Sequence, residues 1–169
     1  MTAELIRLVS LSKIGPNGLP ITVRATSEEC TVLAVRMDIP AVQSLECFFS
    51  LVADEDGATI YAHGRLRAVA TRVCVVSVEH FETLIDDEFD ICFVPAGSER
   101  DDPDPDLVDE MPYEGGSIDL GEAIAQQLAL VLDPYPKMDG AVVPAVDDEP
   151  DASKFSRLLS QAHPHKTGQ

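Results

Sequence analysis

Tyr61, His63, Arg65 and Arg67 are the side chains of this chain whose type and spacing best suit chemistry, and that chemistry is recognition of RNA. Side chains two apart on an extended strand share a face. A ring, an imidazole and two guanidinium groups would thus stand together, with Arg72 just beyond the next turn. A cationic sheet face with a stacking ring suits single-stranded or looped RNA. The plainer alternative is that these are ordinary solvent-facing residues, pairing with the chain's own acidic loop.

Catalysis finds no such cluster. There is no Ser-His-Asp, Cys-His or phosphate-loop pattern, and Gly115-Gly116 lacks the Gly, Lys and Ser/Thr that would cradle phosphate. His163-Pro164-His165 offers two metal ligands without a third. Asp86-Asp87-Glu88 and the Asp101–Asp109 cluster fit no calcium loop and read as solvated acidic runs. His80 beside Phe81 reads as a strand residue. The four cysteines, Cys30, Cys47, Cys74 and Cys92, form no Cys-x-x-Cys pair and read as buried small hydrophobes. No catalytic residue, metal or cofactor is expected.

The charge limits the partners. The net charge is −18 and unevenly placed: residues 1–85 carry 10 acidic against 7 basic side chains, and residues 86–169 carry 20 against 5. Such a field repels polyanions and favours cationic company. It argues against DNA and leaves RNA only a local patch. No apolar run is long enough to span a membrane, and the N-terminal stretch lacks the pattern of a secretory leader. A cytoplasmic protein with no membrane partner is expected.

The elements that must position these residues follow from periodicity. Glu4 to Leu11 and Leu19 to Ala25 read as two strands around the turn Gly15-Pro16-Asn17-Gly18. Ser27 caps a short helix to Met37, closed by Pro40. From Leu45 the period becomes two. Asp54-Glu55-Asp56-Gly57 signals a hairpin, after which Ile60, Ala62, Gly64, Leu66, Ala68 and Ala70 form one strand face. Strand continues through Val73–Val78 and Phe89–Pro95. Residues 96–116, dense in Asp, Pro and Gly, read as a mobile acidic loop. The clearest helix is 119–132, with Leu120, Ile124 and Leu128 on its apolar stripe, a capping box of Asp119 and Glu122, and a stop at Asp133-Pro134-Tyr135-Pro136. A linker-like stretch leads to a small amphipathic helix capped by Ser153, with Phe155, Leu158, Leu159 and Ala162 on one face.

Three pieces resemble the YceD-like family, the large ribosomal RNA subunit accumulation proteins. They are His63-Gly64-Arg65-Leu66-Arg67-Ala68 followed by Val73-Cys74-Val75-Val76-Ser77-Val78-Glu79-His80-Phe81; Tyr113-Glu114-Gly115-Gly116-Ser117-Ile118-Asp119-Leu120 through Leu130 and Asp133-Pro134-Tyr135-Pro136; and Lys154-Phe155-Ser156-Arg157-Leu158-Leu159. Ile118-Asp119-Leu120 is the most specific part, with Gly64 and Cys74 as further motif positions. Many members carry Cys-x-x-Cys where this chain has Cys74 and then Ser77, and no second cysteine pair lies near Pro136–Ala145. A zinc site carried over from the family would lack ligands here. The resemblance implies a non-enzymatic role in synthesis, processing or stability of large-subunit (23S) rRNA in a bacterium.

The expected architecture is α+β: a mainly antiparallel sheet packed by one long helix (about 119–132) and one short helix (about 27–37). Residues 1–145 would be a single domain with the acidic loop 96–116 inserted, and 146–169 an acidic linker with a short C-terminal helix. The expected function is ribosome biogenesis through a basic ribosomal or assembly protein, with large-subunit rRNA as a possible direct contact. Asp101, Asp102, Asp104 and Asp106 would hold that protein, and Phe155, Leu158 and Leu159 are further partner-binding candidates. The alternative is an acidic adaptor unrelated to ribosomes that plugs its C-terminal helix into a partner groove.

Overall fold

The computed structural model describes residues 4–101, 104 and 106–141. Its backbone is strand-rich. In chain order come β1 (Leu8–Ser10), a 3-10 turn (Leu11–Lys13), β2 (Leu19–Arg24), α1 (Ser27–Arg36), β3 (Ala41–Ala53), β4 (Ile60–Val73), β5 (His80–Pro95), β6 (Asp109–Tyr113), β7 (Ser117–Asp119) and α2 (Leu120–Val131). A five-stranded sheet runs in the order β2-β3-β4-β5-β6, and β1 pairs with β7 in a two-stranded sheet. All neighbours are antiparallel except β5 and β6, which run parallel. The α+β reading holds in this coarser form.

One face of the large sheet is the core. Along β4 burial alternates: Ile60, Ala62, Leu66, Ala68 and Ala70 are buried, while Tyr61, His63 and Arg67 are exposed. Phe49 on β3 and Phe89 on β5 flank Gly64 in register, and their rings meet edge to face at 5.8 Å. A Cβ on Gly64 would lie 2.4 Å from Phe89 Cζ, so the absent side chain is the space this aromatic pair fills. From α2, Leu120, Ile124 and Leu128 are fully buried. Each such side chain contributes roughly 1.5–3 kcal/mol by leaving water.

Several local expectations need correction. The helix of 12 residues is of ordinary length, not long. Asp119 does cap it, accepting from Gly121 N at 2.9 Å, but the capping box does not close. Glu122 instead reaches across to α1 and accepts from Arg36 at 2.8 and 2.9 Å, because a charged partner outcompetes the backbone N–H. A capping box forms in α1 instead, where the cap is Thr26 and not the expected Ser27: Thr26 accepts from Glu29 N, and Glu29 accepts from Thr26 N.

The N-terminal segment forms no hairpin around Gly15–Gly18. Its strand is only Leu8–Ser10, and it pairs with Ser117–Asp119. The segment crosses the start of α2: Leu120 N donates to Arg7 O, and Arg7 N donates to Asp119 Oδ1, each at 2.9 Å. Gly121 makes that crossing possible, since a Cβ there would stand 2.0 Å from Leu5 O. The Arg7 guanidinium fixes the same segment to α1, donating to both oxygens of the nearly buried Glu29 at 2.8 and 2.9 Å. That holds the Glu29 carboxyl below the usual carboxylate range.

Two further readings change. Cys74–Val78 is a turn and not a strand, with Val78 at φ 59°, a conformation that a β-branched residue rarely adopts. The stretch read as a mobile acidic loop contains β6, whose Asp109–Tyr113 lies along Ile91–Pro95. Arg100 ties the loop down, donating to Glu110 from its own N–H and its side chain and to Val108 O.

Candidate functional site

The outer face of the sheet carries the residues with recognition potential. Tyr61, His63, Arg65 and Arg67 point there from β4, beside Phe48 on β3. Tyr61 is 53% exposed and Phe48 38%, so two rings stand open to solvent. The polar groups are not free, however. Arg65 donates to both oxygens of Asp86 at 2.9 and 3.0 Å, Arg67 lies 3.5 Å from the same carboxylate, and His63 Nδ1 meets Asp90 Oδ1 at 2.8 Å. Arg65 also lies 3.8 Å from Glu88. Hydrogen bonding from Arg65 holds the Asp86 carboxyl below its ordinary range.

The register explains this. In the β4–β5 ladder Arg67 stands opposite Asp86, Arg65 opposite Glu88 and His63 opposite Asp90. The run Asp86-Asp87-Glu88, read as a solvated acidic stretch, is instead part of a strand whose alternate acids face the cations. The signal was present in the sequence, since acids at 86, 88 and 90 share the spacing of the arginines at 67 and 65 and the imidazole at 63. The pattern continues sideways: Arg24 pairs with Glu46 at 3.2 Å, and the register aligns Arg24, Glu46, Arg67 and Asp86 across four strands with alternating sign.

Arg72 does not belong to this face. It lies at an inward position of β4, is 7% exposed, and donates to Asp133 O beyond α2. Burial pulls its pKa below the usual value. An even separation from Ile60, not from Tyr61, decides the side on which it falls.

Of the motif positions, Ile118 and Leu120 are core, Gly64 is a buried strand position, Asp119 is the helix cap, and Cys74 anchors a tight turn. Cys74 N donates to Glu79 O and Val78 N to Cys74 O, each at 2.9 Å. Its Sγ accepts N–H groups from Met138 at 3.4 Å and Ser77 at 3.5 Å. Those donors, Met138 first, bring the thiol down to about 7. The other cysteines go the opposite way: burial raises Cys30 and Cys92 and pushes Cys47 up to about 12. All four are free and buried. Among the described residues, no three His, Cys, Asp or Glu side chains are grouped to hold a metal ion.

Asp101, Asp104 and Asp106 are exposed, and Asp104 Oδ1 caps Asp106 N at 3.0 Å. Asp102, and the C-terminal candidates Phe155, Leu158 and Leu159, lie outside the described residues. No helix among the described residues is long and apolar enough to cross a membrane.

Among known proteins, the family model described as large ribosomal RNA subunit accumulation protein YceD matches residues 62–165. That span takes in β4 from Ala62 on, β5, β6, β7 and α2, and hence the strand residues His63, Arg65 and Arg67, the Cys74 turn and the capped helix. No curated protein and no solved structure matches the chain.

Proposed function

The chain belongs to the YceD family, and on that premise we propose that it is a non-enzymatic accessory protein supporting the synthesis, processing or stability of large-subunit (23S) rRNA. The match over residues 62–165 is the observation that carries this reading. The protein acts through a basic ribosomal or ribosome-assembly protein and not chiefly through the RNA.

Charge supports that choice. Each phosphate contact adds only about one unit of salt slope. The guanidinium groups of Arg65 and Arg67 share Asp86, and the whole molecule carries −18. RNA would have to displace an internal carboxylate against that field, whereas a cationic protein meets no such opposition.

Deletion of the encoding gene tests the role. The expected result is a deficit of 23S relative to 16S rRNA and of large subunits on a sucrose gradient, restored by the wild-type chain. An intact large-subunit profile would overturn it. Pull-down from nuclease-treated extract tests the route: a basic ribosomal or assembly protein should remain bound without RNA, and its loss with the RNA would refute a protein partner.

A further inference from the structure

The strand β5 is paired along nearly its whole length on one side only. His80 to Val73 through Phe93 to Ile60 forms an unbroken ladder with β4, whereas β6 covers only Ile91–Pro95 on the other side. Among the described residues, the other edge of His80–Asp90 has no strand beside it. Long open edges are templates for pairing with another chain. The opposite edge of the sheet is protected differently, since β2 is short and holds Pro20.

A groove runs along this open edge. A cavity of about 340 Å³ is lined by Phe81, Thr83 and Asp87 of β5, by Arg72 of β4, and by Asp133 and Lys137 beyond the end of α2, so its walls are largely polar. Leu84 and Asp86 also border it from the outer face, so it wraps the strand's edge. Leu84 is 79% exposed. A strand laid on β5 would send alternate side chains into this groove and the others onto the outer face.

The occupant follows from charge. Signs alternate along Arg24, Glu46, Arg67 and Asp86, so the next place in that row suits a cation. Glu82, Glu88 and Asp90 project on the same side. A second copy of this chain would set those acids against their own kind. We propose that the open edge of β5, His80–Asp90, accepts an extended segment of a basic protein as an added strand, with lysine or arginine at alternate positions over the acids and small side chains in the groove. This rests on the reading that the partner is a basic protein, and it gives that partner a binding mode by strand addition.

The test uses the full-length chain, isotopically labelled, titrated with a short peptide of alternating lysine and valine. A second peptide of equal charge is N-methylated at every other amide, which blocks a ladder while keeping the electrostatics. Saturable shifts should centre on His80–Asp90, and methylation should weaken binding roughly tenfold through lost ladder hydrogen bonds. The double variant Glu82→Lys with Glu88→Lys should weaken the unmethylated peptide by about tenfold or more. Should that variant fail to fold, the wild-type shift map decides.

Equal binding of both peptides would overturn the proposal, as would shifts confined to Asp101–Asp106 or no binding. So would slow hydrogen exchange at every amide of His80–Asp90 in the free protein, which would mean that the chain covers its own edge. A normal rRNA profile in the deletion strain, with strand addition intact, would instead sink the ribosomal role alone.

Discussion

Replacing Gly121 with alanine should destabilise this protein, although alanine is the better helix former. Gly121 lies in the first turn of α2, where alanine would ordinarily gain about 1 kcal/mol of helix propensity. The new Cβ would lie 2.0 Å from Leu5 O, 2.6 Å from Leu5 C and 3.0 Å from Ile6 Cα. These are backbone atoms, so no rotamer relieves the clash. The crossing segment must withdraw by on the order of 1 Å or more to restore van der Waals separation. Withdrawal strains two hydrogen bonds, Leu120 N to Arg7 O and Arg7 N to Asp119 Oδ1, each contributing about 1 kcal/mol. Overpacking adds about 1–3 kcal/mol. After the propensity gain is subtracted, the net loss should be about 2–4 kcal/mol. In urea, with a slope of about 2 kcal/mol/M, the midpoint should fall by roughly 1–2 M. A midpoint that rises would show that residues 5–7 do not cross the helix here, and the account of the N-terminal segment would fall.

Three other outcomes are expected. Glu29→Gln leaves the Arg7 guanidinium without its charged partner and should cost about 1–3 kcal/mol at neutral pH. Because Arg7 lowers the Glu29 pKa, that pair's stabilisation is present above the ordinary carboxylate range and fades as acid protonates Glu29, so the variant and wild type should converge in acid denaturation scans. Cys74, lowered to about 7 from an ordinary 9, contributes stability that is full above pH 9 and is lost as pH falls through 7. Thermal melts of wild type and Cys74→Ser should therefore diverge between pH 7 and 9, with wild type gaining, and parallel curves would remove the thiolate from the turn. Gly64→Ala should lower the melting temperature by forcing the Phe89 ring out of its place, at about 1–3 kcal/mol, with a change in the near-ultraviolet signal of the aromatic pair.

What the sequence made legible was what rests on one element alone. The period of two in Ile60–Ala70 sorted core from solvent correctly because each strand residue has only two sides. The stripe of Leu120, Ile124 and Leu128 on α2 was equally plain. What failed depended on residues far apart in the chain. Glu122 was matched to its own helix end, but its partner, Arg36, is 86 residues away. β6 hid in an acidic stretch because Asp109, Glu110 and Pro112 lack strand propensity, and its pairing is supplied by β5. The acids of β5 looked like solvated filler until the register set them against Arg65, Arg67 and His63. Arg72 was misplaced because a turn was expected before it, whereas β4 runs unbroken from Ile60 to Val73 and carries Arg72 to the inward side.

The pairing of β1 with β7 has a consequence for how the chain is made. Leu8–Ser10 is synthesised early, yet its only strand partner in the described fold is Ser117–Asp119. At roughly 5–20 residues per second, the ribosome needs several seconds or more to deliver that partner. Until then Leu8–Ser10 has no strand to pair with, and that pairing forms only once Ser117–Asp119 has emerged.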